Sequence, residues 1–357
     1  MYSKKSIWKK LILVFAILIV LIILLCSLGD IKAIWNVLTT KTNYLFVGVC
    51  ILLAIIYCLL FQASLTIIIK KKYKEIKLID TMYIAGTEFF FNGITPFSSG
   101  GQPFQAYGLK QKNMKLSDST SALLLNFLIY QIAINLFSIV CMVLYFTRLK
   151  EQVDNFIWLL VVGFSINLVI MLFLIGIGTI KWVGNLFVKL LVLFSKIKFL
   201  NKFLSNKIEP FKQYISETQA AFKEMYKYKG TVILSFMLKI LGLAVYYCIP
   251  FFIFWAIGVK IDISNMFYVI AMTSFALTIS IWVPTPGASG GAELAFTTLF
   301  IGLLAGYSDV DNLTMSGMLL WRLVTYYFLM AYGFVMYILF ERGNKYEDRV
   351  VYWPILS

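Results

Sequence analysis

Apolar residues in this chain come in long unbroken runs. Leu11–Leu28, Tyr44–Ile69, Ser117–Tyr145, Phe156–Ile180, Thr231–Ile257 and Leu313–Phe340 each approach or exceed the length needed to cross a hydrocarbon core, which takes about 20 helical residues. A spanning structure must be helical or a closed barrel, and continuous runs exclude the alternating pattern of a barrel strand. The pattern therefore predicts an all-α, polytopic membrane protein with about six full spans. No small-residue cleavage site follows Leu28 and more spans come after it, so the first run reads as a retained span rather than a signal peptide.

Two segments break this pattern. In 80–109 the apolar stretch Met82–Phe91 is only about 15 Å long at 1.5 Å per residue, and it stops at Asn92-Gly-Ile-Thr-Pro-Phe-Ser-Ser-Gly-Gly. Segment 265–305 is interrupted at Pro284-Thr-Pro-Gly-Ala-Ser-Gly-Gly. Each reads as a re-entrant hairpin, broken in the middle; 265–305 is open to a second reading as two short spans.

The two breaks share a motif. Thr95-Pro-Phe-Ser-Ser-Gly-Gly101 and Thr285-Pro-Gly-Ala-Ser-Gly-Gly291 agree at five of seven positions, 190 residues apart. The same offset carries Tyr44 close to Thr231 and Ser117 close to Leu313, so each repeat is span, broken hairpin, span. An odd number of crossings between them makes the repeats inverted, an arrangement found in transporters with the site near the midplane. The expected organisation is 1–43, an N-terminal span and outer loop; 44–147, the first repeat; 148–230, a linking span and basic amphipathic segment; 231–340, the second repeat; and 341–357, a tail.

Composition adds the solvent and the orientation. Of 357 residues, 61% are hydrophobic and 14% charged, where soluble domains carry about 25% charged. Net charge is +15, and 25 of the 32 basic residues fall on one side if the N-terminus is cytoplasmic. By the positive-inside rule both termini are then cytoplasmic, in the cell membrane. The basic surface serves topology first; attraction of anionic lipid at the inner leaflet is the functional alternative. It suits Gly184–Gly230 best, where lysines interleave with apolar residues as in an interfacial helix. Nucleic acid is not an expected partner.

Chemistry is limited by what is missing. The chain contains no histidine, and its cysteines (Cys26, Cys50, Cys58, Cys141, Cys248) lie in apolar runs without Cys-x-x-Cys spacing. Neither a metal site, a cofactor nor a histidine-based nucleophile is expected.

Proline ends a helix, and paired glycines allow close backbone approach. A helix restarting near Gln102 or Ala292 would present unpaired N–H groups and a positive dipole end to an anion such as phosphate. The alternative is that the same residues only build tight turns. Thr95, Pro96, Ser99, Gly100, Gly101, Thr285, Pro286, Ser289, Gly290 and Gly291 are the candidate substrate-binding positions of the motifs. Glu88, Asn92, Glu293 and Arg322 join them, because charged groups inside a membrane are costly and mark function. Arg322 would meet a phosphate, or pair with Glu293. Lys239 is expected to snorkel to the inner surface, and Gln131 with Asn135 to make a polar interhelical contact.

The stretch Gly86-Thr-Glu-Phe-Phe-Phe-Asn-Gly-Ile-Thr-Pro-Phe-Ser-Ser-Gly-Gly-Gln-Pro-Phe-Gln-Ala-Tyr and the later Pro284-Thr-Pro-Gly-Ala-Ser-Gly-Gly-Ala-Glu resemble the flippase-like membrane domain of lysylphosphatidylglycerol synthases. The resemblance implies movement of phospholipid, including lysylphosphatidylglycerol, or another lipid-linked headgroup between leaflets. It places the family's motif positions on Asn92, Pro96, Gly100 and Gly101, on Pro284, Pro286, Gly287, Gly290, Gly291 and Glu293, and on Arg322. In full synthases a soluble aminoacyl-transferase domain follows the membrane part. Here 17 residues follow Phe340, so the expectation is a transporter, not an enzyme, with a separate lipid-modifying enzyme as a partner. A membrane-embedded lipid-acting enzyme and a small-anion transporter are the competing readings.

Overall fold

The computed structural model describes residues 35–153, 157–195, 208–280 and 283–351. The expected first span, Leu11–Leu28, lies outside the described residues. Every regular element among them is helical: α1 Tyr44–Lys72, α2 Leu78–Gly93, α3 Gly101–Gln111, α4 Leu116–Val153, α5 Ile157–Thr179, α6 Lys181–Ser195, α7 Ile208–Lys227, α8 Lys229–Ala256, α9 Met266–Ser280, α10 Gly291–Leu303, α11 Val310–Arg322 and α12 Leu329–Val351. A π-helical turn, Leu323–Phe328, joins α11 to α12, so Val310–Gly343 is one apolar length of 34 residues.

Five of the described helical lengths are long and apolar enough to cross a membrane, or six if the bent pair of α5 and α6 is taken as one span. They are Tyr44–Lys72, Leu116–Glu151, Lys229–Ala256, Ile263–Ser280 and Val310–Gly343. The chain is a multi-pass helical membrane protein.

Its elements follow one another in the same order twice. A long helix (α1, α8), two short helices separated by a break (α2 and α3, α9 and α10) and a second long helix (α4, α11 with α12) repeat along the chain. The leading helices α1 and α8 pack along each other, and each closing helix lies on the other half's broken pair: α12 on α2, α4 on α9. Small residues allow these approaches. A Cβ on Gly333 of α12 would sit 2.4 Å from the backbone nitrogen of Phe90 in α2, and one on Gly242 of α8 would meet the Phe61 ring at 2.9 Å.

The helix ends follow from local sequence. Asn43 caps α1 by accepting from the Leu45 N–H at 3.0 Å. At the other end of α1, Lys72 pairs with Asp118 at 2.5 Å and Glu224 at 3.6 Å. Lys112 pairs with Asp80 at 3.1 Å, nearly out of solvent. Lys72 and Lys112, two of the lysines counted for orientation, are thus held by acidic partners.

The amphipathic segment divides. Between Val161–Ile177 and Trp182–Leu190 the chain turns by 110°, and α6 leaves Trp182, Leu186 and Leu193 exposed. By contrast α7 packs against α4 and α5, with Ile215 and Phe222 buried. The apolar face expected on lipid in α7 is covered by protein, because a neighbouring helix pair offers it a closer partner. Ile197, Leu200 and Phe203 of that segment lie outside the described residues.

Candidate functional site

The two motifs build the same turn. Thr95 and Thr285 are extended (φ −116°, ψ 143° and φ −108°, ψ 153°), and a proline then opens a single 3₁₀ turn, Pro96–Ser98 or Pro286–Ala288. The next residues enter the left-handed region at matching angles, Phe97 (φ 54°, ψ 20°) and Gly287 (φ 61°, ψ 21°). Ser98 and Ala288 follow with φ 50° and 53°. Helix resumes at Gly101 and Gly291. The likeness ends at the fifth residue, where Ser99 is helical and Ser289 extended.

The motif side chains are spent largely on the turns themselves. Thr95 Oγ1 donates to Phe91 O at 2.7 Å and accepts from Gly100 N–H at 2.9 Å. Ser99 Oγ donates to Pro96 O at 2.9 Å, and Ser289 Oγ to Pro286 O at 2.8 Å. Thr285 Oγ1 donates to Ser289 O at 2.7 Å. Asn92 Oδ1 accepts from Gly101 N–H at 2.9 Å, while its amide nitrogen donates to Glu88 Oε1 at 3.3 Å. Gln105 Nε2 donates to Glu88 Oε2 at 3.3 Å. In the second motif Glu293 Oε2 accepts from Gly290 N–H at 2.7 Å, the carboxylate half of a capping box. The amides of Gly100, Gly101 and Gly290 therefore already have partners. At these three positions the neighbouring side chains, not an anion, take the amides.

Arg322 organises the second half. Its Nη2 donates to Gly287 O at 3.0 Å and Ser289 Oγ at 3.2 Å. Its Nε lies 2.8 Å from Glu293 Oε1, with side-chain exposures of only 7% and 9%. That contact lacks hydrogen-bond alignment, so it is an ion pair, and the aligned donors go to the motif. The Tyr326 ring lies beneath the guanidinium, 4.5 Å from ring centre to Cζ. A Cβ on Gly287 would fall 2.1 Å from the Tyr326 ring, so glycine is required there by space as well as by φ.

Tyr326 is also the link between halves. Its Oη donates to Gly93 O, at the end of α2, at 3.0 Å. The two 3₁₀ turns have Cα atoms within 8 Å of each other. The structure thus brings together Thr95, Pro96 and Ser99 with Thr285, Pro286, Ser289, Glu293 and Arg322, through paired turns and one tyrosine. Glu88 and Asn92 belong to the first half's own network, bonded to each other, to Gln105 and to Gly101.

Sequence reasoning passed over Tyr326 and Gln105. Tyr326 is four residues after Arg322, on the same helix face, a spacing that was legible; the π-helical turn that aims it was not. Lys239 is corrected. It does not reach the surface but is 2% exposed, with its ammonium 3.8 Å from the Phe61 ring centre and 5.7 Å from that of Tyr130. Lying eleven residues into α8, it is too deep to extend to the helix end, and aromatic faces stabilise the cation instead. Tyr57 and Tyr246 complete this aromatic wall, their rings 4.4 Å apart.

No curated protein matches the chain. The family described as Lysylphosphatidylglycerol synthase TM region matches residues 11–333, nearly the whole length, including both motifs and Arg322 in the last span. This chain belongs to the lysylphosphatidylglycerol synthase transmembrane-region family.

Proposed function

We propose that the protein moves phospholipid, or another lipid-linked headgroup, between the two leaflets. One observation carries the reading: two broken helices, one from each half of an apolar helical bundle, meet at paired turns, with a buried arginine behind one of them. Broken helices that meet at mid-membrane recur in transporters built from inverted repeats, and the repeated element order and matched dihedrals support that relation. An arginine held by backbone carbonyl, hydroxyl and carboxylate would attract a lipid phosphate without being left bare when the site is empty. Glu88, Lys239 and the tyrosines between them would face the rest of the headgroup.

In this reading both termini are cytoplasmic in the cell membrane, and α6 with its lysines rests on anionic lipid of the inner leaflet. Lysyl transfer itself is assigned to a separate lipid-modifying enzyme, since the chain has no histidine and the site's strongest charges neutralise one another.

The test is translocation of fluorescent phospholipid in proteoliposomes. Wild-type protein should raise the rate over empty vesicles, and leucine at Gly101 or Gly291 should abolish the rise. At those positions even a Cβ meets Asn92 Oδ1 at 2.7 Å or Val283 Cγ2 at 2.2 Å. Translocation unaffected by these replacements would refute the assignment.

A further inference from the structure

Away from the motifs, three helices enclose a cluster of neutral oxygens. A narrow cleft between α4, α5 and α9 is lined by Ile134, Asn135, Ser138, Phe164, Asn167 and Thr278, and is too tight to admit a water molecule without movement of its walls. Asn135 and Asn167 are 2% and 4% exposed. Their side-chain nitrogens are accounted for: Asn135 Nδ2 donates to Gln131 O at 2.8 Å, and Asn167 Nδ2 to Gly163 O at 3.1 Å and Thr278 O at 3.3 Å. These carbonyl partners fix which amide atom is which. Both Oδ1 atoms are left without a donor, as is the buried Gln131 Oε1 one turn away. Such orphaned acceptors are uncommon in a folded interior, and each is costly.

The hydroxyls point the same way. Thr278 Oγ1 donates to Ser274 O at 2.8 Å, which leaves its lone pairs available. Ser138 Oγ lies 3.2 Å from Ser274 Oγ and 3.4 Å from Thr278 Oγ1. Thr278 stands in the last turn of α9, at the negative end of a helix dipole. The small residue Gly163 draws α5 onto that end, since a Cβ there would lie 3.3 Å from Ile279 Cα and 3.4 Å from Thr278 O.

We infer that this cleft binds a small alkali cation, of sodium size. An all-oxygen set selects a hard cation. The absence of carboxylate from the lining disfavours a divalent ion, which takes acidic ligands. No lining group titrates near neutrality, so a proton is not the occupant. A bare sodium or lithium ion is clearly smaller than the water the cleft excludes, whereas potassium is about the size of that water. The helix end and the orphaned oxygens supply the negative potential that replaces the ion's hydration.

The inference concerns occupancy alone and holds whatever the protein transports. The full chain in lipid nanodiscs is melted in chloride salts of sodium, lithium, potassium and choline at constant ionic strength. Sodium and lithium should raise the melting temperature saturably, and potassium and choline should not. In T278V and N167L the apparent sodium affinity should fall about tenfold or more, a loss of the size seen when a metal site's supporting groups are removed. Should those variants fail to fold, saturable binding of radioactive sodium to wild-type protein, displaced by lithium but not potassium, decides the matter. Superimposed melting curves in all four salts with no saturable sodium binding, or a sodium effect undiminished in folded variants, would overturn the inference.

Discussion

Replacing Gly287 with alanine probes the junction of the two motifs through one added carbon. Gly287 has φ 61°, where a residue with a Cβ is strained by about 1–2 kcal/mol. That Cβ would stand 2.1 Å from one Tyr326 ring carbon and 2.5 Å from another, against a comfortable separation of about 3.5–4.0 Å. The ring must move by more than an ångström. It cannot do so and keep its 3.0 Å bond to Gly93 O, worth about 0.5–1.5 kcal/mol, or its place under Arg322 at 4.5 Å, worth about 0.5–2 kcal/mol.

The expected loss for Gly287→Ala is therefore about 2–5.5 kcal/mol on adding these terms, read as the shift in denaturant unfolding of the reconstituted protein. Gly48→Ala is the control, since a Cβ there meets nothing within 4 Å; it should be neutral or slightly stabilising. Adding Tyr326→Ala removes the clash and should make the double variant less damaged than the sum of its parts. Tyr326→Phe keeps the ring and should not rescue. Gly287→Ala with wild-type stability, or damage strictly additive with Tyr326→Ala, would refute the reasoning.

The buried Arg322–Glu293 pair should cost about 3–5 kcal/mol when either partner alone becomes methionine, and much less when both do; a double-mutant cycle in denaturant reads the coupling. Lys239→Met should leave the fold as stable as wild type or more so by thermal melting, because it removes a desolvated cation without changing volume much, while slowing lipid movement in vesicles. Gly333→Ala should destabilise by about 3 kcal/mol, near the upper end for overpacking, because the obstacle is the Phe90 backbone at 2.4 Å and not a movable side chain; size-exclusion profile and unfolding midpoint report it.

What was legible in the sequence followed from solvent and period. Lipid demands long apolar helices, so α1, α8 and the final span were readable with ends close to those observed, whereas α4 runs on past the expected Tyr145 to Val153. Repetition of five of seven motif residues marked the two breaks as related, and Phe97 and Gly287 share backbone angles to within a few degrees. Less legible was what the motif's polar atoms do. Thr95 and Asn92 are of the right type to meet a phosphate and Glu293 a cation, but all three equally cap the chain beside them, and the nearer partner wins. Lys239 read as a snorkelling residue because hydropathy does not register the aromatic faces of Phe61 and Tyr130 packed across from it. Tyr326 was hidden because an α-helical register does not contain the π-helical turn in which it sits.

The account depends on the two turns meeting in the membrane and on lipid passing where they meet. In a chain with its native cysteines replaced, Ser98→Cys and Ala288→Cys should be joined by a short thiol-reactive cross-linker in native membranes, since the turns they occupy lie within 8 Å by Cα. Linkage should stop fluorescent-lipid translocation, and a cleavable linker should restore it on reduction. Absence of linkage in membranes, or full-rate lipid movement by the linked protein, would contradict it.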